Sequence, residues 1–177
     1  MLFKIDSSEE IFQGKELRLN HERVILKNGV KTEYDLLIFP EASAIVPLLD
    51  RETVLLIRQY RHAVGDYIWE IPAGTFNADE EPLECAKREL TEETGYTGGE
   101  WHRLGEIIPI PGHSNKRVHL FLATNLRETD QNLDTDEIVH PGKVGFKDSI
   151  DMIIEGRIID AKSICAIFMA QHFLASV

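Results

Sequence analysis

A helix with two clear end signals sits in the middle of a chain otherwise rich in strand-like runs, and it limits the folds available. Over Pro82 to Thr94 the residues PLECAKRELTEET are good helix formers. Proline is tolerated in a first turn, and Gly95 suits the position just past the last one. With Glu89 as zero on a helical wheel, Glu93 falls near about +40° and Glu92 near about −60°, so three carboxylates share one face. Leu83, Ala86 and Leu90 lie roughly a quarter turn away, so the helix buries an aliphatic stripe with an acidic cluster at its edge. A run of glutamates on a helix is ordinarily a solvated face. Here Glu92 and Glu93 fall in the last turn, where the macrodipole disfavours anions by about 0.3–1 kcal/mol each, and mutual repulsion adds to that. The arrangement calls for a cation. Oxygen donors without a Cys or His cluster suit Mg²⁺, or Mn²⁺ in its place, better than zinc.

The surroundings of this helix are β-like. Asn28-Gly29 between VILK and VKTEYDLLIF predicts a two-residue hairpin turn within an N-terminal antiparallel sheet spanning about Lys15 to Pro40. SAIVPLL and TVLLIRQY, separated by Asp50-Arg51-Glu52, read as a second hairpin of core strands. After the helix, IIPIP and VHLFLAT are strand-like, and helices are expected near Asp148 to Glu155 and Ala161 to Leu174. Strands interrupted by a few helices indicate an α/β or α+β chain. At 177 residues one core is expected, divided into a small β appendage over 1–40 and a main domain over 41–177.

Charge and composition narrow the partners. A net charge of −11 repels a nucleic-acid backbone, and no segment approaches the roughly 20 apolar residues of a membrane span. The start MLFKIDSSEE has no secretory character, which predicts a cytoplasmic protein. Two cysteines, Cys85 and Cys165, are too few and too far apart for a zinc site or a disulfide framework.

Gly74, Glu80 and then RELTEETGY, Arg88 to Tyr96, match the Nudix box G-x5-E-x7-R-E-U-x-E-E-x-G-U. Tyr96 stands where that pattern prefers an aliphatic residue. LLIRQYRHAVGDYIWEIPAG before the box and PGHSNKRVHLFLA after it extend the resemblance over about Phe3 to Leu174. They resemble the ADP-ribose pyrophosphatase and nucleoside diphosphate sugar hydrolase branch, in which a proline follows the box at the place of Pro111. The implied fold is an α/β (α+β) Nudix fold, with mixed β-sheets sandwiched between helices and a small N-terminal antiparallel sheet.

The resemblance also implies roles. Glu89 and Glu93, with the carbonyl of Ala73, are metal ligands. Glu92 is a further ligand or holds a metal's water, and Arg88 orients a glutamate. Glu80 pins the loop into the helix. Relatives place a catalytic glutamate in an acidic loop after the VHLFLA-like strand, which selects Glu137 in NLDTDEIVH. Arg58 is implied near the substrate phosphates, and Arg61 is expected on the same side of its strand. Trp69 and Glu70 adjoin the metal-site loop and are expected to line the nucleoside or sugar pocket. Lys116 departs from the acidic residue that ADP-ribose enzymes often carry there, which leaves the terminal sugar open. The branch pairs through its N-terminal strands, and YDLLIF, Tyr34 to Phe39, carries more apolar surface than a small appendage covers. A homodimer is therefore expected. The function implied is metal-dependent cleavage of ADP-ribose or a related nucleoside diphosphate sugar. A non-catalytic nucleotide-sugar sensor and a hydrolase of oxidised nucleoside triphosphates are the competing readings.

Overall fold

The computed structural model describes residues 3–133 and 138–176. Their contacts divide them into two compact units, one reaching to Glu41 and including Ile108–Arg117, the other comprising Ala42–Ile107 and the chain from Val118 on.

In the first unit β1 (Phe3–Gln13), β2 (Arg18–Leu26) and β3 (Lys31–Ile38) form an antiparallel sheet in that order. The turn at Asn28-Gly29 has three residues rather than the predicted two. The Leu26 amide bonds the carbonyl of Val30 at 2.8 Å, and Gly29 takes φ 81°, the left-handed conformation that closes a three-residue loop. β1 was not expected from sequence. It is exposed along its whole length, so no buried face imposes an apolar alternation on it. Segment Ile108–Arg117 adds to this unit: the amide of Leu37 donates to the carbonyl of His113 at 2.8 Å, and the Asn115 side chain brackets Phe39, accepting from its amide at 2.8 Å. Lys116 donates to the carbonyl of Pro40 at 2.8 Å, and its ammonium lies 5.8 Å from the Phe39 ring centroid.

The second unit contains β4 (Ala42–Pro47), β5 (Thr53–Arg61), β6 (Asp66–Glu70), β7 (Ala73–Thr75), α1 (Pro82–Thr94), β8 (Tyr96–Ile107), β9 (Val118–Glu128), β10 (Val139–Gly145), α2 (Phe146–Ile154) and α3 (Ala161–Leu174). One mixed sheet has the order β7-β4-β9-β8, with β4 parallel to β9; an antiparallel sheet has the order β10-β5-β6. β4 is buried at every residue because both of its faces are covered. Ala42, Ala44 and Val46, with Leu120 and Leu122 of β9, join the larger core with Ala166, Ile167 and Ala170 of α3 and with Val54 and Leu56 of the second sheet. The alternate residues Ile45, Phe121 and Ala123 meet Ala86 and Leu90 of α1, with Leu83 packed alongside. The mixed sheet thus lies between two helices, and its period of two decides which side chain serves which.

Two further expectations are corrected. β4 and β5 do not pair as a hairpin. The turn exists, capped by the Asp50 carboxylate on the amides of Glu52 and Thr53 at 2.8 and 2.7 Å, but a single bridge, Leu48 with Val54, joins the two runs before they enter different sheets. IIPIP is not a strand of the core: β8 ends at Ile107, and the residues that follow belong to the first unit. Among the described residues no helix is long and apolar enough to cross a membrane.

Candidate active site

α1 owes its bounds to local chemistry. Pro82 opens the first turn, and Gly95 at φ 69° donates its amide to the carbonyl of Thr91 at 3.0 Å, a left-handed cap that ends the helix. Glu81 supplies no side-chain cap. The loop is instead fixed by Glu80, which accepts from the Asn77 amide at 2.8 Å and receives the Arg88 guanidinium as a fork, Nε to Oε1 at 2.8 Å and Nη2 to Oε2 at 2.9 Å. That fork, with the Asn77 amide, holds the Glu80 carboxyl at about 2. The same guanidinium donates through Nη1 to Glu89 at 2.6 Å and to Glu92 at 2.8 Å, and through Nη2 to the carbonyl of Thr75 at 3.0 Å. Arg88 therefore stands among three carboxylates, which raise its pKa further, and it supplies the positive charge that the last turn of α1 lacks.

Strand β7 brings the main chain against these acids. A Cβ on Gly74 would lie 1.9 Å from the carboxyl carbon of Glu89, so the carboxylate occupies the space a side chain would take. Only glycine allows that approach. Glu93, 1% exposed, accepts the amide of Ala73 through Oε2 at 2.8 Å. Glu89 and Glu93 are thus seated on consecutive residues of β7, with Glu92 at the more open edge. Cys85 lies beside them, its thiol 3.5 Å from the carbonyl of Gly74. Burial and the charge of Glu89 push that thiol up to about 12, so it stays protonated and unsuited to metal binding.

Arg58 and Arg61 do not share a side. They are three residues apart on β5, and a strand turns such residues to opposite faces. Arg58 is exposed and lies over the Tyr67 ring, 5.7 Å from its centroid, on the face that carries Tyr60 and Trp69. Trp69 packs against the larger core, where its ring would meet a Cβ at Gly142 at 3.0 Å. Arg61 forks onto the buried Glu70, Nε to Oε1 at 2.6 Å and Nη2 to Oε2 at 2.8 Å. The bond to Glu70 raises the pKa of Arg61 and outweighs burial, while Glu93 and Asp160 add to the rise. Arg61 lies in the field of Glu93, a carboxylate of α1. Glu137 lies outside the described residues.

The NUDIX domain profile matches residues 39–148. An ADP-ribose pyrophosphatase of Bacillus subtilis (strain 168) is 35% identical over 170 residues, covering 95% of this chain and 92% of that protein. The chain belongs to the NUDIX domain family. A methanol dehydrogenase activator of Bacillus methanolicus is 32% identical over the same shares of the two chains. The crystal structure of an ADP compounds hydrolase matches with a TM-score of 0.89 over 99% of this chain and 96% of that one; at 22% identity this is a likeness of fold.

Nudix membership raises the question of whether these residues suit a divalent ion. Among the described residues no three His, Cys, Asp or Glu side chains already stand together as a metal cluster. The arginine explains this, since Nη1 of Arg88 is shared between Glu89 and Glu92 while Glu93 faces the Ala73 amide. The donor set nevertheless fits a hard cation: Glu89 at Gly74 and Glu93 at Ala73 are carboxylates seated on the main chain of β7, with Glu92 at the open edge and a protonated thiol beside them. Sequence reasoning missed the residues behind Arg61 and Glu70, namely Asp160, Lys162 and Ser163 at the start of α3. Asp160 preceding a helix was a readable cap signal, but the reach of Lys162 to Glu70, 92 positions earlier, had no local sign.

Proposed function

We propose that this Nudix chain hydrolyses the pyrophosphate bond of ADP-ribose or a related nucleoside diphosphate sugar, giving a nucleoside monophosphate and a sugar phosphate. The observation that carries this reading is the seating of Glu89 against Gly74 and of Glu93 on the Ala73 amide, which brings the acids of α1 to one place on β7. Glu89, Glu93 and the Ala73 carbonyl hold Mg²⁺, or Mn²⁺ in its place, with Glu92 as a further ligand. When bound, such ions neutralise diphosphate charge and activate water. Arg88 keeps the glutamates spaced and oriented. Arg61 binds the diphosphate through the guanidinium edge not engaged by Glu70, and Arg58 with Tyr67 and Trp69 lies toward the nucleoside. Glu137 takes the proton of the attacking water.

In this reading the protein is cytoplasmic, with residues 1–40 as the pairing appendage and 41–177 as the hydrolase domain, and two copies pair through the N-terminal sheet. The exposed apolar residues of β1, among them Phe3, Ile5, Ile11 and Phe12, supply the surface for that pairing. Incubation with ADP-ribose and Mg²⁺ in ¹⁸O-water tests the chemistry. AMP and ribose phosphate, one of them carrying the label, are expected, and light scattering of the same sample is expected to give twice 20.2 kDa. Binding without turnover would favour the sensor reading, and retention of turnover by Glu137→Gln would remove Glu137 from the mechanism.

The similarity to a methanol dehydrogenase activator favours one second reading, in which the chain raises the activity of a partner dehydrogenase. A rise in the turnover of such an enzyme on addition of this protein would distinguish that role.

A further inference from the structure

Helix α3 starts where charged groups from distant parts of the chain meet. Glu70, at the end of β6, is 1% exposed, and a buried carboxylate stays ionised only where cations and donors replace water. Arg61 takes one side of it as a fork. Lys162, in the first turn of α3 and 15% exposed, takes the other side by donating to Glu70 Oε2, and it also reaches the Asp160 carboxylate at 3.0 Å. Asp160 caps the helix by accepting the Ser163 amide at 3.0 Å. The four side chains form a balanced set of two cations and two anions. Burial opposes the ionisation of Glu70, yet the bonds and charges of Arg61 and Lys162 outweigh it and lower its pKa.

The same helix start also touches the main chain of the site. The Ile71 amide donates to the Ser163 hydroxyl at 2.9 Å, and two residues further on the Ala73 amide meets Glu93. Both arms of the site, Arg61 and the Ala73–Glu93 pair, are therefore referred to one rigid turn of α3. Ser163 serves the backbone arm and Lys162 the arginine arm.

We infer that Lys162 is a positioning residue for the substrate diphosphate, holding the Glu70 carboxylate that Arg61 forks onto so that the arginine keeps one orientation. A free arginine side chain loses rotamer entropy when it binds, and an anchored fork loses less of it on meeting a phosphate. Without Lys162, Glu70 keeps a single cation, and Oε2 loses one of the two donors described on it, leaving the carboxylate held from the Arg61 side alone. The carboxylate then turns, and Arg61 turns with it. The inference rests on the proposed role of Arg61 toward the diphosphate.

The test compares wild type, K162M, K162R, R61A and the K162M/R61A pair by ADP-ribose kinetics with Mg²⁺, by calorimetric binding of ADP-ribose without divalent ions, and by thermal melting. K162Q replaces K162M where that variant does not fold. K162M is expected to raise KM and Kd about ten- to hundredfold, the usual scale for partners that orient a ligating group, with kcat unchanged. K162R is expected to restore both constants. In the R61A background K162M is expected to add nothing, because the two residues act as one unit. A K162M with a lowered melting point but unchanged KM and Kd, or one whose effect multiplies in full with that of R61A, would overturn the positioning role. An R61A with unchanged Kd would overturn the diphosphate role of Arg61 and this inference with it. Wild type that binds ADP-ribose but does not cleave it would sink only the hydrolase reading, and Kd would then decide on Lys162. Wild type that neither binds nor cleaves ADP-ribose or GDP-mannose overturns both.

Discussion

Two arginines organise the second unit, and they do so in opposite ways. Arg88 donates through all three guanidinium nitrogens, to Glu80, Glu89, Glu92 and the carbonyl of Thr75. Arg61 uses one edge of its fork on Glu70 and is 39% exposed. A saturated guanidinium is a brace, whereas one anchored along a single edge can still meet a ligand. The comparison separates an arginine of α1 that shapes the acidic cluster from one of β5 that is proposed to meet the diphosphate.

The most severe test removes the buried acid of α1 that sits on the Ala73 amide. Glu93→Gln is expected to lower kcat by about three orders of magnitude while the melting point holds, because an amide is a poor ligand for a hard cation. Activity within about tenfold of wild type, a barrier change of only about 1.4 kcal/mol, would refute a ligand role for Glu93.

Gly74→Ala attacks the cluster from the strand side. Its Cβ would meet the Glu89 carboxylate at 1.9 Å, and because the neighbour is the end of a side chain, Glu89 is expected to swing away rather than the fold to fail. Activity is then expected to fall about a hundredfold with little change in stability, and divalent-ion titration is expected to show weakened binding. An unchanged metal affinity would break the link between Gly74 and the cluster.

Arg88→Lys sharpens the contrast between brace and anchor. A lysine keeps the charge but cannot fork onto Glu80 while reaching Glu89 and Glu92, so a loss of about tenfold in kcat/KM is expected. Full activity in the lysine variant would reduce Arg88 to a point charge.

The smallest expected effect is on stability in acid. The Glu80 carboxyl moves from 4.5 to about 2 on folding. A lowered folded value means that its contribution is complete above the unfolded value and declines as pH falls from about 4.5 toward 2. Denaturant titrations of wild type and Glu80→Gln are expected to differ at pH 7 and to converge near pH 2. A gap that stays constant across that range would show that the Arg88 fork contributes little.

The parts of this structure that could be read in the sequence are those fixed by short-range chemistry. Pro82 and Gly95 bound α1 because end signals act within one turn, and the apolar stripe of Ala86 and Leu90 follows from a period of 3.6. β10 was missed because its sequence contains Pro141-Gly142, which reads as a turn. It is an edge strand of its sheet, where a proline is tolerated. β1 was missed for the opposite reason, since exposure on every residue leaves it no pattern to show. Arg58 and Arg61 lie on opposite faces, not the same side, because three residues separate them along a strand whose side chains alternate. Glu70 and Lys162 are 92 residues apart, and nothing local to either announces their pairing.

Cys85 gives the acidic cluster a built-in chemical clock. Its thiol is fully buried, lies against the carbonyl of Gly74 and the guanidinium of Arg88, and is nearly inert at pH 7 with a pKa pushed up to about 12. Alkylation therefore has to wait for α1 to part from β7. With Cys165 replaced by serine, the rate at which an excess of maleimide modifies the remaining thiol counts those partings directly. Divalent ions and substrate, by closing the same seam, would slow the clock, so occupancy of the site can be followed without any turnover at all.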